Sequence, residues 1–368
     1  MAITIFLIII GFIFVLQSAM PFLLKRTIAF GVTIPEGHTD DPTIASFKKI
    51  YATTIFITGL VSLIAYFIWT NNSNLTEEKV MLTGLAIQFG IIFLSIGLYF
   101  YFHAKTTHLK QDNDWGQNLK QVRITDLSMR AKDEMLPSFF YALPMIITVG
   151  LIAYTATQYN SMPDMIPTHW GPSGQADAFS RKTPFSVLAL LLILLVMQGM
   201  MLGINAFTKQ SGIKLNAAKR QTSQIQQLSF RKYTSWFLFM TSVLITVLLG
   251  FLQLTTIHEG LGNAALMLAL PLGFLLIILI ATAIYAFKVG QSGSRIDVAM
   301  EDDSIAGITD VDDDKFWKAG IFYVNKDDSS IFVEKRFGVG WTINMGNPIG
   351  YIIILLPLML ILAITFLL

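Results

Sequence analysis

Eight uninterrupted apolar runs, each of about 18 residues or more, dominate the chain at roughly 2-20, 53-70, 80-103, 139-157, 183-207, 234-254, 264-288 and 348-368. Coiled at 1.5 Å per residue, each is long enough to cross a hydrocarbon layer of ~30 Å. Backbone groups in lipid must be satisfied within the segment, and no run alternates as a barrel strand would, so these runs dictate helices. Composition enters as a check: 54% hydrophobic against 14% charged residues excludes an ordinary soluble enzyme, where about 25% charge is usual. The expected fold class is an all-α polytopic membrane protein of about eight transmembrane helices, with a small cytoplasmic β-hairpin module before the last helix. The absence of cysteine excludes disulfides, thiolate catalysis and cysteine-ligated metal within this chain.

Lys and Arg placement orients the spans. Of the 26 basic residues, 23 lie in the connections after spans one, three, five and seven, while Lys79, Arg181 and Lys182 are the rest. By the positive-inside rule the cation-rich connections are cytoplasmic and both termini are extracellular. No basic residue precedes the first run, and Lys25 and Arg26 follow it, so that run reads as a retained anchor rather than a cleaved signal. Trp69, Trp236 and Trp341 fall at span ends, where indole rings suit the headgroup region.

No Asp, Glu, Lys, Arg or His sits in the middle of a run. Ion-coupled transport uses such groups at the midplane, so their absence weighs against a transporter. Gln88 and Gln198 are the polar exceptions, and each is expected to bond between helices. Gly199 and Gly203 form a GxxxG, and Pro144, Pro271 and Pro357 are helix-kinking candidates.

The densest cluster of unusual residues is the connection 158-182, placed outside by the charge rule. Pro163, Pro167 and Pro172, with Gly171 and Gly174, prescribe a fixed turn geometry. Pro167, His169, Trp170, Gly174 and Asp177 fit a Pro-x-His-Trp-x-x-x-Gly-x-x-Asp pattern flanked by two spans. Over about 139-207 this pattern resembles the bacterial membrane domain of unknown function 1648, which also occurs in toxin-immunity and signal-transduction proteins of the SdpI type. The resemblance implies a role in sensing or resisting an extracellular peptide; in this chain three further spans precede the domain.

Two readings of the loop are open. In one, His169, Trp170 and Asp177 form a recognition or proton-handling site, with Arg181 and Lys182 attracting an anionic or peptide partner. In the other, Trp170 anchors at the interface, the glycines supply turns, and Asp177 pairs with Arg181 or caps the helix opening near Thr183. Convergence of His169, Asp177, His258 and Glu259 on a metal is the enzymatic alternative, but no HExxH spacing supports it, and Ser173 and Ser180 lack a nucleophile context. No metal and no cofactor is expected.

The connections 104-138 and 208-233 mix cations with apolar residues such as Leu109, Trp115, Leu119 and Val122, a pattern suited to anionic headgroups or to a partner. Residues 289-347 open acidic (Glu301, Asp302, Asp303, then Asp310, Asp312, Asp313, Asp314) and continue with two β-rich runs, 321-325 and 331-337, around the polar Lys326-Ser330 segment. These two runs are expected to pair as a hairpin, with 341-344 as a third strand. The stretch from Trp317-Lys318 through Glu334-Lys335-Arg336 to Gly340-Trp341-Thr342-Ile343-Asn344 is similar to domain of unknown function 5808. A calcium-loop spacing at Asp310, Asp312 and Asp314 fails where Lys315 replaces the needed glycine, and Gly338 and Gly340 start a dinucleotide motif that Ile343 breaks.

The expected organisation is a three-span region at 1-138, a two-span domain at 139-207, spans six and seven with a basic loop at 208-288, the β-rich module at 289-347 and the last helix at 348-368. The leading expectation is a non-enzymatic protein of the bacterial cell membrane that senses or resists an extracellular peptide or envelope stress. A transporter of a small solute or lipid is the alternative, and a membrane-embedded metal-dependent hydrolase the third. The expected partners are the lipid bilayer, an extracellular peptide ligand and a cytoplasmic protein; nucleic acid is not among them.

Overall fold

The computed structural model describes residues 2–71, 75–115, 120–122, 124–125, 132–171, 174–211, 213–298 and 308–367. Leu119, Pro172, Ser173 and the acidic Glu301–Asp303 stretch lie outside them, as does the side chain of Glu259. Among the described residues, eight helices are long and apolar enough to cross a membrane, and the protein is a multi-pass membrane protein. They are α1 (Ala2–Leu23), α2 (Pro42–Thr70), α3 (Glu77–Asp112), α4 (Ala142–Gln158), α5 (Pro184–Gln210), α6 (Arg220–Ile257), α7 (Ala264–Ile284) and α8 (Pro348–Phe366).

Three helices run well beyond their apolar runs. α2 starts at Pro42 because Asp41 accepts from the Thr43 and Ile44 amides at 2.8 and 3.2 Å, a side-chain N-cap followed by proline at the first position. α3 opens with Glu77 and Glu78 and carries Lys110 in its last turn, matching the helix dipole at both ends. At 36 residues it is ~54 Å long, so its last turns clear the hydrocarbon.

Residues form two compact units. The first comprises Met1–Glu134, Ser211–Arg231 and Ala283–Asn347. Within it α1 packs against α2 and α3, and Gly59 on α2 leaves room for the Phe14 ring. Polar bonds fix the register: Tyr51 Oη meets Ser95 Oγ at 2.6 Å, Ser95 Oγ donates to Gln17 Oε1 at 3.0 Å, and Tyr66 Oη donates to the Val80 carbonyl at 3.0 Å.

The connections after spans one, three, five and seven all contribute to this unit. β1 (Ile28–Ala29) and β2 (Val32–Thr33) form a hairpin. β3 (Lys120–Val122) pairs in parallel with β8 (Ile308–Asp310), and β4 (Ile124–Thr125) pairs antiparallel with β7 (Lys214–Leu215). β9 (Trp317–Lys318) pairs with β10 (Phe322–Tyr323), and β11 (Phe332–Glu334) with β12 (Trp341–Ile343).

The last two pairs correct the expected hairpin. Residues 321–325 do not pair with 331–337. Positive φ at Ala319 and Gly320 turns the chain back at once, so β10 folds onto β9. The 326–330 segment is held by side chains: Asn325 Oδ1 accepts from the Asp327 amide at 3.0 Å, Asp328 Oδ1 from the Ser330 amide at 2.9 Å. Asn344 joins them by donating to the Asn325 and Asp328 carbonyls at 2.8 and 2.9 Å. Trp341 belongs to β12 and stacks on Phe230, 5.8 Å between ring centres.

Two tight turns meet in this unit. Phe30 and Gly31 are both at positive φ, the backbone of a type I′ hairpin, although a bulky side chain resists that region. Phe30 is held there by burial among Tyr51, Tyr99 and Phe102, and its carbonyl lies 2.7 Å from His103 Nδ1. Gly31 has no side chain because Gly320 of the other turn lies against it. Arg336, 5% exposed, clamps the two turns: it donates to the Gly31 carbonyl at 2.7 Å and Thr33 Oγ1 at 2.9 Å, and to Asp313 and Asp314. Lys110 reaches Asp312 and Asp314 at 2.6 and 2.7 Å. Nearby, Lys25 pairs with Glu334 at 2.6 Å; burial works against the Glu334 charge, but Lys25 and its hydrogen-bond donors hold the carboxyl below the usual range.

The second unit comprises Met135–Gln210, Lys232–Thr282 and Pro348–Leu368. In it α5 packs against α4 and α8, around Leu191, Leu194 and Ile245. Gln198 bonds between helices as expected, donating to Thr148 Oγ1 and Thr246 Oγ1, each at 2.8 Å. Gln88 does not: its amide nitrogen meets no acceptor among the described residues.

Candidate functional site

The 158–182 connection folds as a two-stranded antiparallel hairpin, β5 (Met165–Trp170) and β6 (Ala176–Arg181). Its base is tied twice. The Lys182 amide donates to the Asp164 carbonyl at 2.8 Å, and the Lys182 ammonium donates to the Met162 carbonyl at 2.8 Å while lying 5.5 Å over the Tyr159 ring. Ile166 is buried beside Met162 and Val187, with Tyr159 and Ile257 against them. This apolar foot gives the exposed strands a fixed platform.

Ladder alternation explains Pro167. With Lys182 and Asp164 as a hydrogen-bonded pair, the next hydrogen-bonded pair is Ser180 and Ile166, so Pro167 and Phe179 turn their backbone groups outward. Proline loses no ladder bond there. The register then shifts between Pro167, His169 and Trp170, a bulge that re-aims side chains.

The bulge brings His169 and Asp177 together. His169 Nδ1 and Asp177 Oδ1 are 2.5 Å apart, with side chains 66% and 52% exposed. The carboxylate only accepts, so Nδ1–H donates to it and Nε2 is left toward the surroundings. Asp177 therefore pairs with His169, not with Arg181, and it does not cap α5. That cap is made by Thr183 and Ser186, each accepting from the other's amide, at 3.0 and 2.9 Å. Arg181 is exposed and its carbonyl accepts from Ser186 Oγ at 2.8 Å.

At the tip, Gly174 has φ +77° and is buried; an added Cβ would come to 3.1 Å from Met267 Cβ. Both facts demand glycine. The Gly174 amide donates to the Gly171 carbonyl at 2.9 Å, and the Gly171 amide to the Gln175 carbonyl at 2.8 Å. Trp170 is half-buried opposite Ala176. The outward surface thus shows the His169–Asp177 pair, the Arg181 guanidinium, and Met165 and Phe179, both 50% exposed.

His258 is not part of this set. Its Nε2 lies 2.7 Å from Tyr154 Oη, a pairing across 104 residues that no sequence spacing announces. No group of three or more His, Asp or Glu side chains that could hold a metal occurs among the described residues. Sequence reasoning counted Lys182 among ligand contacts, whereas the structure commits its charge to the hairpin base; it also passed over Met165 and Phe179.

Residues 146–195 match the family described as Domain of unknown function (DUF1648). This stretch is similar to DUF1648. It takes in most of α4, the whole hairpin and the first half of α5, so the DUF1648 segment is centred on the His169–Asp177 pair. Residues 326–351 match the Family of unknown function (DUF5808), covering the 326–330 turn, β11, β12 and the first turn of α8. Arg336 and Asn344 both lie in this DUF5808 segment. Comparison with curated proteins and with solved structures finds no match.

Proposed function

We propose that this is a non-enzymatic protein of a bacterial cell membrane that senses, or confers resistance to, an extracellular peptide or envelope stress, with the DUF1648 hairpin as its contact surface. One observation carries the reading: a hairpin on an apolar foot presents the hydrogen-bonded His169–Asp177 pair, an exposed arginine and two large exposed apolar side chains. That mixture suits an amphipathic peptide, whose apolar side chains meet Met165 and Phe179 and whose carboxylates meet Arg181. Both termini are on the same outer side in this reading. Support comes from the cation-rich connections, whose strands gather in the first unit, as loops on one cytoplasmic face would. The β-rich segment before α8 relays to, or anchors, a cytoplasmic protein.

The test is complementation. A deletion strain carrying wild-type protein survives a panel of membrane-active peptides. Strains carrying His169→Ala with Asp177→Ala, or Arg181→Ala, at equal membrane abundance lose that protection. Full protection by both variants would remove the hairpin from the function.

A further inference from the structure

In the second unit, buried polar side chains recur at seven-residue intervals inside otherwise apolar spans: Tyr141, Thr148 and Thr155 along α4 and the turn before it, Gln198 and Asn205 on α5, Ser235 and Ser242 on α6. Seven residues are two helical turns, ~10.5 Å, so these groups form levels. At the upper of two adjacent levels Gln198 Nε2 donates to the Pro144 carbonyl at 3.1 Å and to the hydroxyls of Thr148 and Thr246. At the lower, Asn205 Nδ2 donates to the Leu136 carbonyl at 3.2 Å, the Leu136 amide donates to Ser235 Oγ at 2.8 Å, and Tyr141 Oη donates to the Ser235 carbonyl at 2.8 Å.

These bonds fix which way both amides face. A carbonyl only accepts, so the atom on Pro144 must be the Gln198 nitrogen and the atom on Leu136 the Asn205 nitrogen. Gln198 Oε1 and Asn205 Oδ1 are then oriented acceptors, on residues 1% and 0% exposed. Neither meets a donor among the described residues, and neither does the Ser242 hydroxyl meet a partner. Ser242 lies one turn from Thr246 of the upper level and two turns from Ser235 of the lower. All three unmet atoms therefore belong to the same two adjacent levels, where a buried polar atom left without a partner is costly.

We propose that a small cluster of water molecules is bound between α5 and α6 at these two levels, donating to Gln198 Oε1 and Asn205 Oδ1 and sharing a hydrogen bond with Ser242. The chemistry selects the occupant. Two fixed acceptors call for a donor with more than one hydrogen. A metal cation or ammonium is disfavoured, because α4, α5, α6, α7 and α8 carry no Asp or Glu and Asp133, three residues before Leu136, already lies 3.8 Å from the Arg231 guanidinium. Toward Gln253 the site is sealed: Leu191, Leu194 and Leu249 form an apolar layer between Gln198 and the next polar level, where Gln253 Nε2 donates to the Val187 carbonyl at 3.1 Å.

The deciding experiment is a density map of the full chain in lipid nanodiscs, at a resolution that shows ordered water, collected in sodium and in choline salt. Peaks are expected at hydrogen-bond distance, about 2.7–3.2 Å, from both amide oxygens in both salts. Ser242→Ala should lose the peak nearest position 242 and keep the others. Absence of density at both oxygens would overturn the proposal, as would a peak seen in sodium only, with contacts shorter than hydrogen bonds, which would mean a cation. The wild-type map decides alone should the variant not accumulate.

Discussion

Replacing Arg336 by Ala tests the clamp that joins the two tight turns of the first unit. The guanidinium is almost fully buried and serves the Gly31 carbonyl, Thr33, Asp313 and Asp314; removing it takes a counter-charge from two carboxylates whose side chains are only 27% and 29% exposed. Breaking a buried pair from one side costs about 3–5 kcal/mol, and the lower end applies because Lys110 still reaches Asp314. A loss of ~3 kcal/mol corresponds to a melting shift of several degrees for a unit of this size. Acid titration gives an independent handle. Burial pushes the Asp314 carboxyl up, but Arg336 and Lys110 outweigh it and hold it at about 2, against an ordinary 3.8. A depressed carboxyl contributes stability that is complete above its unfolded value and disappears as pH falls through the folded one. The contribution, on the order of 2.5 kcal/mol, is thus present at neutral pH and lost between about pH 4 and 2. In Arg336→Ala the burial effect is opposed by Lys110 and the Thr33 donors without the guanidinium, so acid unfolding begins at higher pH. Trp317, whose ring lies 5.1 Å from the Arg336 guanidinium carbon, reports both transitions by fluorescence in detergent. Identical melting temperature and identical acid midpoint in wild type and variant would refute the clamp.

Asn344→Ala removes a fully buried amide that ties the 325–328 segment to β12; at about 1–3 kcal/mol per orphaned partner, limited proteolysis should cut the 326–330 turn far faster than in wild type. Gly174→Ala forces a side chain into positive φ against Met267 at a cost of about 1–2 kcal/mol, read as a lower melting temperature, and unchanged melting would contradict the tip geometry. His169→Ala and Asp177→Ala alter an exposed pair, so stability should stay within about 0.5 kcal/mol while peptide protection falls. A comparable fall in melting temperature would instead make the pair structural.

Hydropathy made the spans legible because lipid leaves an apolar run no other backbone form, but it stops where polar residues begin, and helices do not. α2 continues back through Lys49 and Lys48 to its Asp41 cap, and α3 continues through Lys105 to Asp112, since backbone hydrogen bonding is indifferent to side-chain charge while caps and dipoles favour continuation. The hairpin's turn was legible in Pro167, Gly171 and Gly174, and so were His169 and Asp177 as candidates. Their pairing was not, because it depends on a register shift that spacing does not encode. Local strand composition likewise suggested that 321–325 should meet 331–337. Positive φ at Ala319, a residue with no turn signature, overrode it. Links such as β3 with β8, or Tyr154 with His258, join residues so distant in sequence that no local pattern marks them.

The parallel pairing of Lys120–Val122 with Ile308–Asp310, together with the grip of Arg336 on the turn at Phe30 and Gly31, places a timing constraint on biogenesis. Three helices emerge early from the ribosome, yet the surface they share with their own loops is finished only after a seventh span has been inserted and some two hundred further residues translated. Until then the Phe30 turn has neither its arginine nor its facing glycine, and a nascent chain arrested after α7 but before Gly320 should present that unfinished surface to chaperones and proteases.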